Sequence, residues 1–244
     1  MTKVKFGFQN IDESKKPEKV NGIFSSVSNK YDLMNDIMSF GLHRIWKKQF
    51  IKLCDLQRQK KILDVACGTG DITIGMLKSR PDLEITCLDP SDDMMNICKS
   101  KLIDSGYTNV DFQTSSIEGF KPKDNTFDLV TLAFGFRNFS NNSKALKKIL
   151  NTLKPGGSLI IMDFKKPTNK NYASLFKFYT LEVIPKIGSF IASDSDSYRY
   201  LGESIQTYYT PEEISIMLKD TGYINIKSIN LLEDVVSIHK GYKS

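Results

Sequence analysis

The sequence predicts an α/β protein, a doubly wound seven-stranded and mostly parallel sheet preceded by an N-terminal helical cap. Three observations carry that expectation. Short β-branched runs alternate with longer stretches of helical spacing from Lys61 onward. The first run, Lys61–Val65, opens through Ala66-Cys67-Gly68-Thr69-Gly70-Asp71 into Ile72–Lys78, so strand, glycine loop and helix follow at once. A second run, Glu84–Asp89, ends in a carboxylate roughly 20 residues past the glycines, the spacing at which an acidic side chain meets a ribose.

The other elements follow in order. Residues up to about Val20 are polar and expected to be loose. Between Val20 and Leu56 the pattern is mostly helical. Leu33, Ile37 and Met38, then Leu42, Ile45 and Trp46, predict two short amphipathic helices capping the sheet, and the polar Tyr31, Asn35, His43 and Arg44 among them suit a lid over a pocket. Pro81 and Asp82 break the first helix, and Pro90-Ser91-Asp92-Asp93 starts one running to about Ser105, with Met94, Met95 and Ile97 in the core. Val110–Gln113 is a third strand that leaves Ser116 and Ile117 at its carboxyl end, where a doubly wound sheet borders its ligand crevice. Strand four, Leu129–Phe134, delivers the loop Gly135–Phe139 to the same crevice. Packing explains the phenylalanines of that loop but not Arg137 and Asn138, which points to a substrate role.

Ser143 is the expected cap of the helix ending near Leu150, and Pro155-Gly156-Gly157 turns the chain into strand five, Ser158–Phe164. Tyr172–Ile191 is aromatic-rich and interrupted by Pro185 and Gly188, which reads as packing, with an apolar groove as the alternative. Arg199 is expected to fix Glu203 or an acceptor oxygen. Thr210-Pro211-Glu212-Glu213 is a helix start with a capping box, Gly222 ends that helix, and strands at Ile224–Ile229 and Val235–Tyr242 complete the sheet, His239 being structural. The length suits one domain: 1–58 as cap, 59–165 as cofactor-binding core, 166–209 as substrate-side insertion, and 210–244 as closing helix and strands.

Charge narrows the ligand. Thr73 stands where a dinucleotide loop wants its third glycine, and Asp64 and Asp71 flank the loop, so a pyrophosphate is disfavoured and an NAD-dependent reductase with it. S-adenosylmethionine carries no phosphate and two cationic groups and suits such a mouth, with Gly68 and Gly70 in the cradle, Asp64 beside it, Asp89 on the ribose, and Ser116 and Ile117 flanking the adenine. The net charge of +6 is spread over scattered lysine pairs, with no arginine-and-aromatic stripe for nucleic acid and at most a weak pull towards anionic lipid. Cys54, Cys67, Cys87 and Cys98 have no Cys-x-x-Cys spacing and neither histidine has a second ligand nearby, so reduced buried thiols and no metal site are expected. The first residues lack a signal-peptide core and no apolar run is long enough to span a bilayer. The expectation is a cytoplasmic protein, at most peripherally attached to the inner membrane.

Tyr31–Trp46, Gly135-Phe136-Arg137-Asn138 and Ser197-Tyr198-Arg199-Tyr200-Leu201, with Phe6-Gly7-Phe8-Gln9 and Lys240-Gly241-Tyr242 at the ends, resemble the ubiquinone/menaquinone biosynthesis C-methyltransferase family, within the Rossmann-like class I S-adenosylmethionine-dependent methyltransferases. The resemblance runs nearly end to end. It implies methylation of a ring carbon of a polyprenylated benzoquinol (2-methoxy-6-polyprenyl-1,4-benzoquinol) or of demethylmenaquinol, and it is compatible with a homodimer or a quinone-synthesis complex. Thr69, Asp89, Ser116, Ile117 and Ala133 fall on cofactor-binding positions, although a serine is familiar at Ala133, a second glycine is common at Cys67, and Met162-Asp163-Phe164-Lys165 departs mildly from the pattern. A ring carbon becomes nucleophilic when the neighbouring hydroxyl ionises; with tyrosine's pKa of about 10 as the guide, that costs about 4 kcal/mol at neutral pH. The expected division of labour gives Arg137 and Asn138 the forming phenolate, and His43, or a water held by Tyr31, the proton. Methylation of another small phenol, or a non-catalytic cofactor-binding subunit, are the alternatives.

Overall fold

A computed structural model describes residues 2–231 and 234–244. The chain opens with a hairpin, β1 (Lys3–Phe6) and β2 (Gln9–Asp12), turned at Gly7 with φ 57°. This corrects the expectation of a loose start. Local sequence does not hold the hairpin; a long-range contact does, because Phe6 stacks on Tyr200 with ring centroids 4.4 Å apart and the Phe8 amide donates to Glu203 Oε2 at 3.1 Å. Glu203 is therefore taken by backbone, and no ion pair joins it to Arg199 among the described residues. Helices α1 (Lys16–Val27), α2 (Tyr31–Met38) and α3 (Leu42–Leu53) form the cap, with Gly41 at φ 76° between the last two.

The core alternates as read: β3 (Lys61–Val65), α4 (Asp71–Ser79), β4 (Glu84–Asp89), α5 (Asp92–Asp104), β5 (Val110–Thr114), β6 (Phe127–Ala133), α6 (Asn142–Thr152) and β7 (Leu153–Phe164). Asn141, not Ser143, caps α6, accepting from the Lys144 amide at 3.0 Å; its side chain stands where the chain is still extended, as a cap must. Strand β7 begins earlier than read, at Leu153, because Leu153 pairs with Phe127 across a register shift that absorbs Pro155-Gly156-Gly157.

Next come α7 (Lys170–Phe178), a π-helical turn (Tyr179–Val183) and α8 (Ile184–Ala192), which run on without a gap. Pro185 does not interrupt them, since it occupies the first turn of α8, where a missing N–H is tolerated. No helix among the described residues is long and apolar enough to cross a membrane. Helix α9 (Ser195–Gln206), then α10 (Pro211–Thr221) with the capping box of Thr210 and Glu213, and strands β8 (Ile224–Asn230) and β9 (Val236–Tyr242) close the chain.

The seven-stranded sheet has the order β5-β4-β3-β6-β7-β9-β8, parallel except at β9, which runs antiparallel to both neighbours. Alternate side chains feed its two faces. Ile62, Leu129 and Ile160 pack with Phe50, Met76 and Leu102 of α3, α4 and α5, whereas Leu63, Val130 and Ile161 pack with Leu146, Ile149 and Leu218 of α6 and α10. The strand order reverses between β3 and β6, so the crevice opens at their carboxyl ends. A third cluster, Val27, Met34, Met94, Ile184 and Tyr198, fastens the cap over that opening.

Candidate active site

The glycine loop is held from beneath by one buried carboxyl group. Asp64 accepts from Thr73 Oγ1 of α4 and from Thr131 Oγ1 of β6, each at 2.7 Å, so it ties loop, helix and neighbouring strand together. Burial pushes its pKa up to about 7. Ala66 and Phe134, at the ends of β3 and β6, both have positive φ, 52° and 59°, a conformation costly for residues with a Cβ and concentrated at ligand sites. Gly68 donates its amide to Asp89 Oδ2 at 2.9 Å, and Ser91 donates to the other oxygen at 2.9 Å. Burial raises Asp89 to about 6 despite those donors.

The mouth is not the free negative charge that the sequence suggested. Asp71 pairs with Lys47 at 2.7 Å and Lys101 at 3.2 Å, and although burial alone would raise its pKa, the two lysines hold it below the usual carboxylate range. Lys101 also pairs with Asp32, which in turn accepts from the Thr69 hydroxyl at 2.9 Å. Helix α2 is thus latched onto the loop it covers.

Across the crevice, the turn after β6 is built around a buried ion pair. Arg137 Nη1 stands 2.7 Å from Asp163 Oδ1, with side-chain exposures of 6% and 1%. The Arg137 amide donates to Asp163 Oδ2, Nη1 to the Phe134 carbonyl and Nε to Ser204 of α9. Burial works against the guanidinium charge, but Asp163 together with Tyr31 and Tyr200 keeps the pKa above its ordinary value. Asn138 Oδ1 accepts from the Tyr200 hydroxyl at 3.0 Å, which orients its amide group. Lys16 Nζ donates to the carbonyls of Arg137 and Phe139, and burial lowers its pKa to about 8.

His43 sits on α3 with Nε2 2.8 Å from Asp36 Oδ1, while Arg44 grips the same carboxylate, which holds Asp36 well below the usual carboxylate range. A carboxylate can only accept, so the ring hydrogen belongs on Nε2 and the neutral ring presents a bare Nδ1. That Nδ1 is buried and has no hydrogen-bond partner among the described residues. Burial lowers the His43 pKa, against the pull of Asp36, so the ring is neutral at pH 7.

The ubiE/COQ5 methyltransferase family matches residues 11–243. The chain belongs to that family. The ubiquinone/menaquinone biosynthesis C-methyltransferase UbiE of Shewanella pealeana is 38% identical over 240 residues, covering 98% of this chain and 96% of that protein. The one from Ectopseudomonas mendocina is 40% identical over 240 residues, covering 98% and 94%. Among solved structures, a SAM-dependent methyltransferase from Aquifex aeolicus superposes with a TM-score of 0.57 at 17% identity, over 96% of this chain and all of that one (100%). The [4+2]-cyclase SpnF does so with 0.60 at 16% identity, over 80% and 79%; likenesses this distant show the class I methyltransferase fold alone.

In this member of the ubiE/COQ5 family, two cavities meet at the crevice. Tyr31, His43, Asp64, Gly68, Thr69, Ala133 and Arg137 line one; Tyr31, Gly68, Asp89, Ser116, Ile117, Ala133 and Asn138 line the other. Gly70 lines neither: it caps α4 with φ 85°, and a Cβ there would stand 2.7 Å from Cys98 Sγ. Asp64 reaches the first cavity with both oxygens already bonded. Sequence reasoning missed Asp163, Lys16 and Asp32, because each acts through a partner remote in the chain, and Asp36, because the turn at Gly41 is what brings it to His43. Asp163, closing a strand at the crevice end, was the one with a visible signal. Replacing Asp163 by Ala leaves the Arg137 charge buried and unpaired, and we expect a loss of about 3–5 kcal/mol in urea unfolding, much of it restored in Asp163→Ala/Arg137→Met; an unaltered midpoint in the single variant would show the pair to be dispensable.

Proposed function

We propose that the chain is an S-adenosylmethionine-dependent C-methyltransferase that methylates a ring carbon of a polyprenylated benzoquinol or of demethylmenaquinol, the activity for which its relatives are named. The observation that carries the site assignment is the placing of His43, with Nδ1 bare, and Arg137 around the same cavity as the Gly68-Thr69 loop. The donor set fits the cofactor. Asp89 is a buried acceptor held by two backbone amides, suited to a pair of ribose hydroxyls, and Met94 and Ile117 offer an apolar slot for the adenine. When bound, S-adenosylmethionine supplies an electrophilic methyl group. The Gly68-Thr69 loop would hold it, and Ala133 could offer it only a backbone contact. With Asp71 neutralised by Lys47 and Lys101, the loop orients the donor through its shape and backbone groups as much as through charge.

On this reading His43 takes the proton from the ring hydroxyl at Nδ1, and Asp36 stabilises the imidazolium through Nε2. Arg137, kept charged by Asp163, and the Asn138 amide, aimed by Tyr200, lower the cost of the phenolate. Arg137 itself cannot serve as the base, its pKa lying above about 12. The prenyl tail leaves along the apolar wall of Phe176, Tyr179 and Ile184. Around that wall Phe40 and Phe190 are 81% and 92% exposed, with Leu33, Leu175 and Phe178 also bare, and these residues attach the protein peripherally to the membrane that holds its substrate.

His43→Gln should lower kcat on a short-tailed demethylated quinol by about 10²- to 10⁴-fold while calorimetry finds S-adenosylhomocysteine bound as before; unchanged turnover removes His43 from the chemistry. Because the carboxylate form of Asp89 is the one that accepts hydroxyls, affinity for S-adenosylhomocysteine should rise as pH increases through about 6 and then level off. Asp89→Asn should bind weakly at every pH, and a flat wild-type profile would count against the assignment. Phe40→Ser/Phe190→Ser should lose flotation with anionic vesicles while keeping activity on a tail-less quinol; undiminished flotation would place the membrane contact elsewhere.

A further inference from the structure

Cys67, Cys87 and Cys98, separated in sequence and without any metal-binding spacing, come together beneath the glycine loop. Cys67 follows β3, Cys87 lies in β4 and Cys98 in α5, and their sulfur atoms all lie within 4.8 Å of one another. The nest is enclosed: Cys87 and Cys98 are buried and pack with Ile72, Met76 and Met95, while Cys67 also lines the larger cavity and so gives the nest its way in. The neighbouring thiols of Cys67 and Cys87 pull the Cys98 pKa down, while their own are raised.

We infer that this nest is a three-sulfur site for a trivalent thiophilic centre, of which arsenous acid is the simplest form. The spacing suits such a centre. Three thiolates held at ~2.3 Å around one pyramidal atom stand about 3.4 Å apart, so sulfurs already within 4.8 Å need to close by at most about 1.5 Å. The surroundings select the valence. No histidine, aspartate or glutamate joins the three sulfurs among the described residues, whereas structural zinc takes four ligands. Soft monovalent copper accepts sulfur alone, but three thiolates around it carry two net negative charges. Those charges would lie in an apolar nest next to Asp64, whose Oδ2 receives the same Thr73 hydroxyl that stands 3.3 Å from Cys87 Sγ. A trivalent centre leaves the nest neutral.

The exchange balances without an oxidant: As(OH)₃ and three thiols give three As–S bonds and three waters, each thiol hydrogen leaving on a hydroxide and arsenic staying trivalent. Occupation would tether the loop to β4 and α5. Cys98 Sγ lies directly under Gly70, and the Gly68 amide is bonded to Asp89, so the centre is coupled to the nucleoside cradle.

The test uses the full-length chain, reduced and freed of metal, with sodium arsenite alone, zinc alone and copper(I) alone. Native mass spectrometry should find one arsenic per chain, X-ray absorption should count three sulfurs around it, and affinity for S-adenosylhomocysteine should shift at least several-fold. Cys87→Ser and Cys98→Ser should each bind arsenite at least tenfold more weakly, and Cys54→Ser, outside the nest, should bind it as the parent does. The sulfur count is read on the parent chain, so it stands even where a serine variant fails to fold. No adduct, two sulfurs instead of three, an adduct that survives Cys98→Ser, or retention of zinc or copper where arsenite is refused would each overturn the assignment.

Discussion

The contact on which the crevice depends is the ion pair of Arg137 and Asp163. Two charges removed almost wholly from water are expensive, and their attraction offsets that cost only when every remaining donor and acceptor is matched. Here most of them are. Asp163 receives the Arg137 amide as well as its guanidinium, and Arg137 reaches the Phe134 carbonyl and Ser204. The pair therefore fixes backbone as well as side chains. It clamps the turn after β6 to the end of β7 and fastens α9 over both, while Lys16 holds the turn's carbonyls from the N-terminal side. Cap, sheet and insertion converge on one turn, and on the proposed reading that turn carries the positive charge that a developing phenolate requires.

A charge so well neutralised acts differently from a free one. Asp163 cancels most of the field of Arg137 at long range, so the guanidinium does not draw anions in from solvent. At short range the orientation of the pair still matters, because the carboxylate is bonded to Nη1 and the amide, and Nη2 has no hydrogen-bond partner among the described residues. The arrangement is a fixed dipole in a low-dielectric pocket, the kind of group that stabilises charge formed during a reaction without having to reorganise. The glycine loop shows the same economy: Asp32, Asp71, Lys47 and Lys101 form an alternating network in place of an acidic patch.

Most of the sheet was legible in the sequence because local rules decide it. Ile62 and Leu63, or Val130 and its neighbours, alternate between two apolar faces, and the glycine loop and Asp89 stand at a spacing that topology demands. The capping box at Thr210 is a contact within one turn and reads directly. What escaped notice is held by remote partners. The hairpin of β1 and β2 rests on Tyr200, nearly the whole chain away, and its polar residues give no strand signal of their own. Asp36 meets His43 only because Gly41 folds α3 back on α2. The thiols at 67, 87 and 98 come from the loop after β3, from β4 and from α5, and only the tertiary packing of those segments brings them together. The charge argument from Asp64 and Asp71 chose S-adenosylmethionine over a dinucleotide for an incomplete reason, since counting carboxylates overlooks the hydroxyls and lysines that occupy them.

The two ends of the crevice differ in how they close, and that difference bears on how one enzyme serves a water-soluble donor and a lipid. Beside the glycine loop the cap is held by Asp32, its hydrogen bond from Thr69 and its ion pair with Lys101, contacts that water and salt can replace at modest cost. Beside α7 and α8 the wall is apolar, and the bare phenylalanines there gain nothing from opening into water. On the quinol reading, α2 yields at its polar edge to a cofactor arriving from solvent, and the aromatic edge yields only against a phase that can accept phenylalanine. On that reading the ring and the donor would enter by different edges, with His43 and Arg137 lining the cavity they share. On that reading a reactive sulfonium is covered by polar latches and a quinol by exposed apolar rings, so neither substrate has to pass through the other's medium to reach the point of transfer.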